Sequence, residues 1–134
     1  MAAIAVAPLY MKDVTLTIGT DTYEKHVSGV TITPSASSAT WKGLNPAATF
    51  TDVSSTTWTL DLTYVQDWDT TNSLSKYLLA NAGSTKTIVF KPKSANTPTV
   101  TVSAIITPGA IGGQIDSYAE STVSLPVSGQ PTLA

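Results

Sequence analysis

The side chains able to make or break bonds are few: one histidine, His26, nine carboxylates and seven lysines, with neither cysteine nor arginine. A Ser-His-Asp site would have to be built on His26, which follows Glu24 and Lys25, and no nucleophile-elbow sequence accompanies it. The pattern predicts an exposed strand histidine rather than a general base. Asp67 and Asp69 suggest a cation loop, yet such a loop wants an acid or amide at position 71 and a glutamate at 78, where Thr71 and Leu78 stand. Negative charge just ahead of a helix suits the helix dipole, and that is reason enough for the pair. Pro108-Gly109-Ala110-Ile111-Gly112-Gly113 has closely spaced glycines but no lysine and no helix behind it, so it reads as a turn and not a phosphate cradle. Two carboxylates could serve glycoside hydrolysis, but nothing in the sequence gathers a pair in one cleft. Of Trp41, Trp58 and Trp68, only Trp41 lies outside a core or cap position and is available to a partner. No catalytic residue, metal ligand or cofactor site is predicted, and the chain is read as a non-enzyme.

What remains is the language of strands. At 134 residues the chain suits one domain with a two-layer core, and 12% charged residues against 42% hydrophobic is a composition that folds. A net charge of -2 without arginine lacks the footprint of a phosphate-gripping protein. The apolar opening run, Met1 to Leu9, has no basic stretch and is too short to cross a bilayer, so neither a signal peptide nor a membrane association is expected. No acceptable glycosylation sequon occurs, which leaves secretion unsupported.

Val14, Leu16 and Ile18 alternate with threonine, and a turn at Gly19–Thr22 predicts a hairpin whose return strand is Tyr23–Thr33, with a bulge at Gly29 and an end at Pro34. Residues 35–56 form a long loop or extended hairpin rich in Ser, Ala, Thr and Pro and carrying Trp41, Leu44 and Phe50; aromatic residues in so long a connection point to function. The clearest strand is Thr57–Gln66, with Trp58, Leu60, Leu62 and Tyr64 on one face. One helix is predicted at about residues 71–82, capped by Thr70 or Thr71, with Leu74, Tyr77 and Leu78 inward, Ser75, Lys76 and Asn81 on a polar face, and Gly83 closing it. Strands resume at Thr87–Lys91, turn through Ser94–Pro98, run over Val100–Ile106 and finish within Ile115–Val127, leaving Ser128–Ala134 as an extended tail. The fold class is all-β: a sandwich of two mostly antiparallel sheets with one flanking helix.

The order of features is an apolar arm (residues 1–12), a hairpin, the long loop with Trp41-Lys42-Gly43-Leu44-Asn45-Pro46, the Trp58–Tyr64 strand, one helix, and the close Ser121-Thr-Val-Ser-Leu-Pro-Val-Ser-Gly-Gln-Pro131. That order resembles the major tail protein, or tail tube protein, of long-tailed, siphovirus-type bacteriophages. The resemblance implies a single tail tube domain over residues 1–134 whose copies form hexameric rings, stacked into a tube that conducts DNA during ejection. It implies itself as first partner, then the tape measure, terminator and distal tail proteins, with only transient, non-specific passage of DNA and no cofactor. The protein would reside in the virion tail, after assembly in the host cytoplasm. By position, contacts between subunits and rings would fall to Ile4, Val6, Leu9 and Tyr10 of the arm and to Trp41, Leu44, Pro46 and Phe50 of the loop. A capsid decoration or cement protein, and a carbohydrate-binding or adhesion module using Trp41 or Trp68, are the alternatives.

Overall fold

The structure, a computed structural model, describes residues 2–93 and 98–134. It contains ten strands and one short helix. In chain order these are β1 (Thr15–Ile18), β2 (Asp21–Thr22), β3 (Val27–Ser35), β4 (Ser38–Lys42), β5 (Thr49–Val53), β6 (Thr57–Val65), α1 (Leu74–Ala80), β7 (Thr85–Lys91), β8 (Val100–Ile105), β9 (Glu120–Val127) and β10 (Thr132–Leu133). Eight strands hydrogen-bond in the order β2-β1-β7-β8-β9-β6-β3, with β10 also on β8, and β4 and β5 form a separate two-stranded sheet; all pairings are antiparallel.

The expected sandwich is present, and its layers are joined at a corner. One layer is β3-β6-β9 and the other β2-β1-β7-β8, and β9 bridges them: it lies beside β6 along its whole length but meets β8 only where Val127 faces Ala104. Past Gly129, whose φ of 83° only glycine adopts without strain, the chain continues along β8 as β10. A strand that leaves one layer for the other is how sandwiches turn corners. Leu60, Leu62 and Tyr64 of β6, Val123 and Leu125 of β9, and Leu16, Ile18, Ile88, Val102 and Ala104 of the second layer all belong to one buried cluster. The period-two alternation of each strand put those residues inside.

Several details differ from the sequence reading. The turn after β1 is only Gly19-Thr20, and the return strand is the two-residue β2. The long strand that follows, β3, does not pair with β1: β1 lies against β7, and β3 lies at the far edge of the sheet against β6. The bulge at Gly29 is where expected, as a register shift between Val27 and Gly29, but Pro34 stays within β3, tolerated because an edge strand has one side without ladder partners. The helix is shorter than 71–82 and its cap is Ser73, not Thr70 or Thr71. The Asp67 carboxylate accepts the backbone N–H groups of Asp69 and Thr70 at 3.0 and 3.1 Å, and this tight turn, followed by Asn72 at φ 61°, uses up the residues on which a cap was expected. Ser75, assigned to the polar face, is buried and its Oγ accepts from the Asp67 N–H. The seven C-terminal residues are extended but not free: Thr99 and Ala134 exchange both backbone hydrogen bonds beyond the β8–β10 pair. The turn expected at Ser94–Pro98 falls mostly outside the described residues.

Candidate assembly surfaces

The most unusual element is the arm formed by β4 and β5. It is the outward continuation of the β3–β6 hairpin, because the ladder that ends with Ser35 opposite Thr57 resumes, one residue out of register, with Ser38 opposite Val53. Ser37 and Ser54 stitch the junction, Ser54 N–H donating to the Ser37 carbonyl at 2.7 Å and Ser37 N–H to Ser54 Oγ at 2.9 Å. Trp41 stands directly opposite Phe50, their rings 5.9 Å apart, and Ala39 and Asp52 share that face. The tip is ordered by its own bonds: Gly43 N–H donates to Ala48 O at 2.7 Å, and the Asn45 side chain accepts from Ala47 N–H at 2.9 Å across Pro46. A side chain at Gly43 would collide with Ala48 and crowd the Trp41 ring, so glycine is required where the strand meets the tip.

None of the ten strand residues of the arm is buried, and Trp41 and Phe50 remain 63% and 65% exposed even while touching each other. Leu44 at the tip is fully exposed, and Pro46 is exposed beside it. An isolated two-stranded hairpin is marginal in water, and this one holds its largest apolar residues outward.

The N-terminal segment is a second such surface. Residues 2–12 contain no strand or helix. Ile4, Val6 and Tyr10 are exposed, whereas Leu9 is lower at 58% because it lies over a groove of about 420 Å³. That groove is the open end of the sandwich beside the arm's root, walled by Ile32, Trp58, Phe90, Val100 and Leu133.

The structure thus brings together Trp41, Leu44, Pro46 and Phe50 on one arm, and places Ile4, Val6 and Tyr10 apart from them on a separate strand-free segment. Sequence reasoning overlooked a third patch. Between β8 and β9, Ile111, Ile115 and Tyr118 are exposed on a loop held down by Gln66. The Gln66 amide nitrogen donates to Gly112 O at 2.9 Å and Ser121 Oγ at 2.7 Å, while its oxygen accepts from Gly112 N–H at 2.9 Å and Trp68 Nε1 at 3.1 Å. Ser121 Oγ in turn donates to Ala110 O at 2.8 Å. Gly109 is needed here because a Cβ would sit against the Tyr64 hydroxyl.

The polar chemistry is structural. His26 is half-buried in a turn and not exposed on a strand; its ring meets Tyr23 edge-on at 5.6 Å, and its Nδ1 is buried with no hydrogen-bond partner. Burial first, then the Asp21 carboxylate, pushes the Tyr23 phenol up to about 12, and its hydroxyl donates to Asn72 O at 3.1 Å, tying the turn before the helix to the core. The side-chain and backbone bonds from Thr70, then that from Asp69, hold the exposed Asp67 carboxyl below its usual value. Among the described residues no group of three or more His, Cys, Asp and Glu side chains is placed to hold a metal ion. Among the described residues no helix is long and apolar enough to cross a membrane.

The outer faces of the two layers differ in charge. That of β3-β6-β9 presents Thr31, Thr33, Thr59, Thr63, Thr122 and Ser124 with the carboxylates of Asp61 and Glu120, and no lysine; Ser124 Oγ donates to Asp61 at 2.5 Å, and Thr63 and Thr122 share a hydroxyl bond at 3.3 Å. That of the second layer is also rich in hydroxyls, with Thr15, Thr17, Thr87, Thr101 and Ser103, but carries Lys91 beside Val89 and the exposed Ile105. The outer edge of β3 has no strand partner among the described residues.

This fold is shared with a virion protein chain. A chain from a solved structure described as the virion of a native gene transfer agent particle superposes with a TM-score of 0.61, covering 89% of this chain and 95% of its own, at 13% sequence identity. At that identity the likeness is one of fold. No family model and no curated protein matches the sequence.

Proposed function

We propose that this protein is a structural virion component that polymerises into hexameric rings stacked as a tail tube, the conduit for DNA during ejection. The observation that carries the reading is the preformed, wholly exposed β4–β5 arm with Trp41, Leu44 and Phe50 on it, attached to a sandwich whose fold matches a chain of a virion particle. A free β3 edge invites strand-to-strand addition of another copy, and head-to-tail contacts that close into a ring turn that tendency into a defined assembly.

In this reading the lumen is lined by the outer face of β3-β6-β9. Its hydroxyls stay hydrated, and its two carboxylates without a lysine repel a polyanion weakly instead of binding it. The arm and residues 1–12 reach neighbouring subunits or rings, and other tail proteins meet the tube at its ends and along its bore. The protein carries out no bond-making reaction. Electron microscopy of the concentrated, purified chain tests this: six-fold rings or tubes are expected, while compact trimers would indicate a shell-decorating protein and a glycan-binding monomer an adhesion module.

A further inference from the structure

The groove beside the root of the arm has a match on the same chain. Its walls, Ile32, Trp58, Phe90, Val100 and Leu133, are apolar, and Leu9 covers only part of it. The arm's own Trp41 and Phe50 cannot fill it. They stand six residues beyond Ser35 on an extended ladder, roughly 20 Å out at about 3.3 Å per residue, with Ser37 and Ser54 hydrogen-bonded across the junction. If the aromatic face is buried by this groove, it is the groove of another copy.

We propose that the groove is the receptor for the Trp41–Phe50 face of the arm of a second copy of this chain, so that each subunit gives one arm and receives one. This rests on the ring-forming reading and names the contact within it. Polarity agrees: none of the groove's lining residues is charged, which suits the Trp41 and Phe50 rings. Size agrees as well. Two aromatic side chains and Leu44 bury on the order of 400 Å², about half of the ~800 Å² per partner typical of a stable pair. The contact is therefore too small to hold a lone dimer, and it suits an assembly in which each copy makes several.

The chain has no cysteine, so engineered thiols meet no competition. Protein carrying Ala39→Cys, on the arm face, is mixed with protein carrying Gln130→Cys, at the groove rim, and oxidised at assembling concentration. A disulfide-linked dimer containing one of each is expected, and Asp52→Cys in place of Ala39→Cys should give the same product. Crosslinking no greater than with Lys76→Cys, on the helix, would overturn the proposal. Leu133→Asp, at an exposed side chain, should raise the concentration needed for assembly at least tenfold, and an unchanged threshold would count against the groove. Tubes without the crosslink would remove the groove and leave the tube standing; the crosslink without rings or tubes would do the reverse.

Discussion

The β3–β6 hairpin and its continuation as β4–β5 are one ladder with two fates. Along Val27–Ser35 and Thr57–Val65, Val30, Ile32, Leu60 and Leu62 turn one face into the core, and Leu60 and Leu62 are fully buried. Along Ser38–Lys42 and Thr49–Val53 one face carries the large Trp41 and Phe50 rings with Ala39 and Asp52, yet all ten residues are exposed. The proximal half holds the molecule together. The distal half leaves apolar surface uncovered in the single subunit, and that asymmetry is the basis of the proposed assembly.

The strongest way to break the comparison is to remove one half. Replacing Ser35–Thr57 by an Asn-Gly turn joins Pro34 to Trp58, which already face each other, and should leave a folded, soluble domain by circular dichroism that forms no tubes or rings. Unfolding, or continued tube formation, would show the arm to be misassigned. Single substitutions sharpen the contrast. Leu62→Ala, at a fully buried site, should lower unfolding free energy by about 2–5 kcal/mol in urea titration. Trp41→Ala should change the same measurement by less than about 0.5 kcal/mol, but weaken assembly by about 2 kcal/mol, roughly a 30-fold rise in the threshold concentration seen by sedimentation.

The smallest effect lies at the helix end. Tyr23→Phe removes the hydroxyl bond to Asn72 and should cost about 1 kcal/mol. The sign of its pH dependence follows from a phenol raised from 10.0 to about 12 in the fold: the protonated form is favoured by folding, so its contribution is full below about pH 10 and is lost as pH climbs toward 12. Wild-type stability should decline over that window more steeply than that of Tyr23→Phe.

The sequence disclosed faces better than partners. The inward set Trp58, Leu60, Leu62 and Tyr64 could be read directly, because period two fixes which side chains share a face. That β1 would choose β7 and leave β3 to the far edge could not, because alternating Thr and aliphatic residues look alike in every strand. The aromatic content of residues 35–56 singles them out as exposed to a partner, but a Ser-, Ala-, Thr- and Pro-rich composition does not distinguish loop from ladder. Ser73 as cap was hidden because the Asp67 turn consumes Thr70 and displaces the helix start, a tertiary detail with no periodic signal. The same holds for Gln66, whose side-chain bonds to Gly112, Ser121 and Trp68 leave no trace in local pattern.

In the proposed assembly, apolar surface that is exposed in one subunit is covered in many. Negative-stain imaging across a concentration series, with Trp41 accessibility followed by fluorescence quenching in single-tryptophan protein (Trp58 and Trp68 replaced by Phe), addresses it most directly. Hollow tubes or six-fold rings are expected above a threshold, with Trp41 becoming protected at that same concentration. A monomer at every concentration, with Trp41 as open to quencher as before, would contradict it.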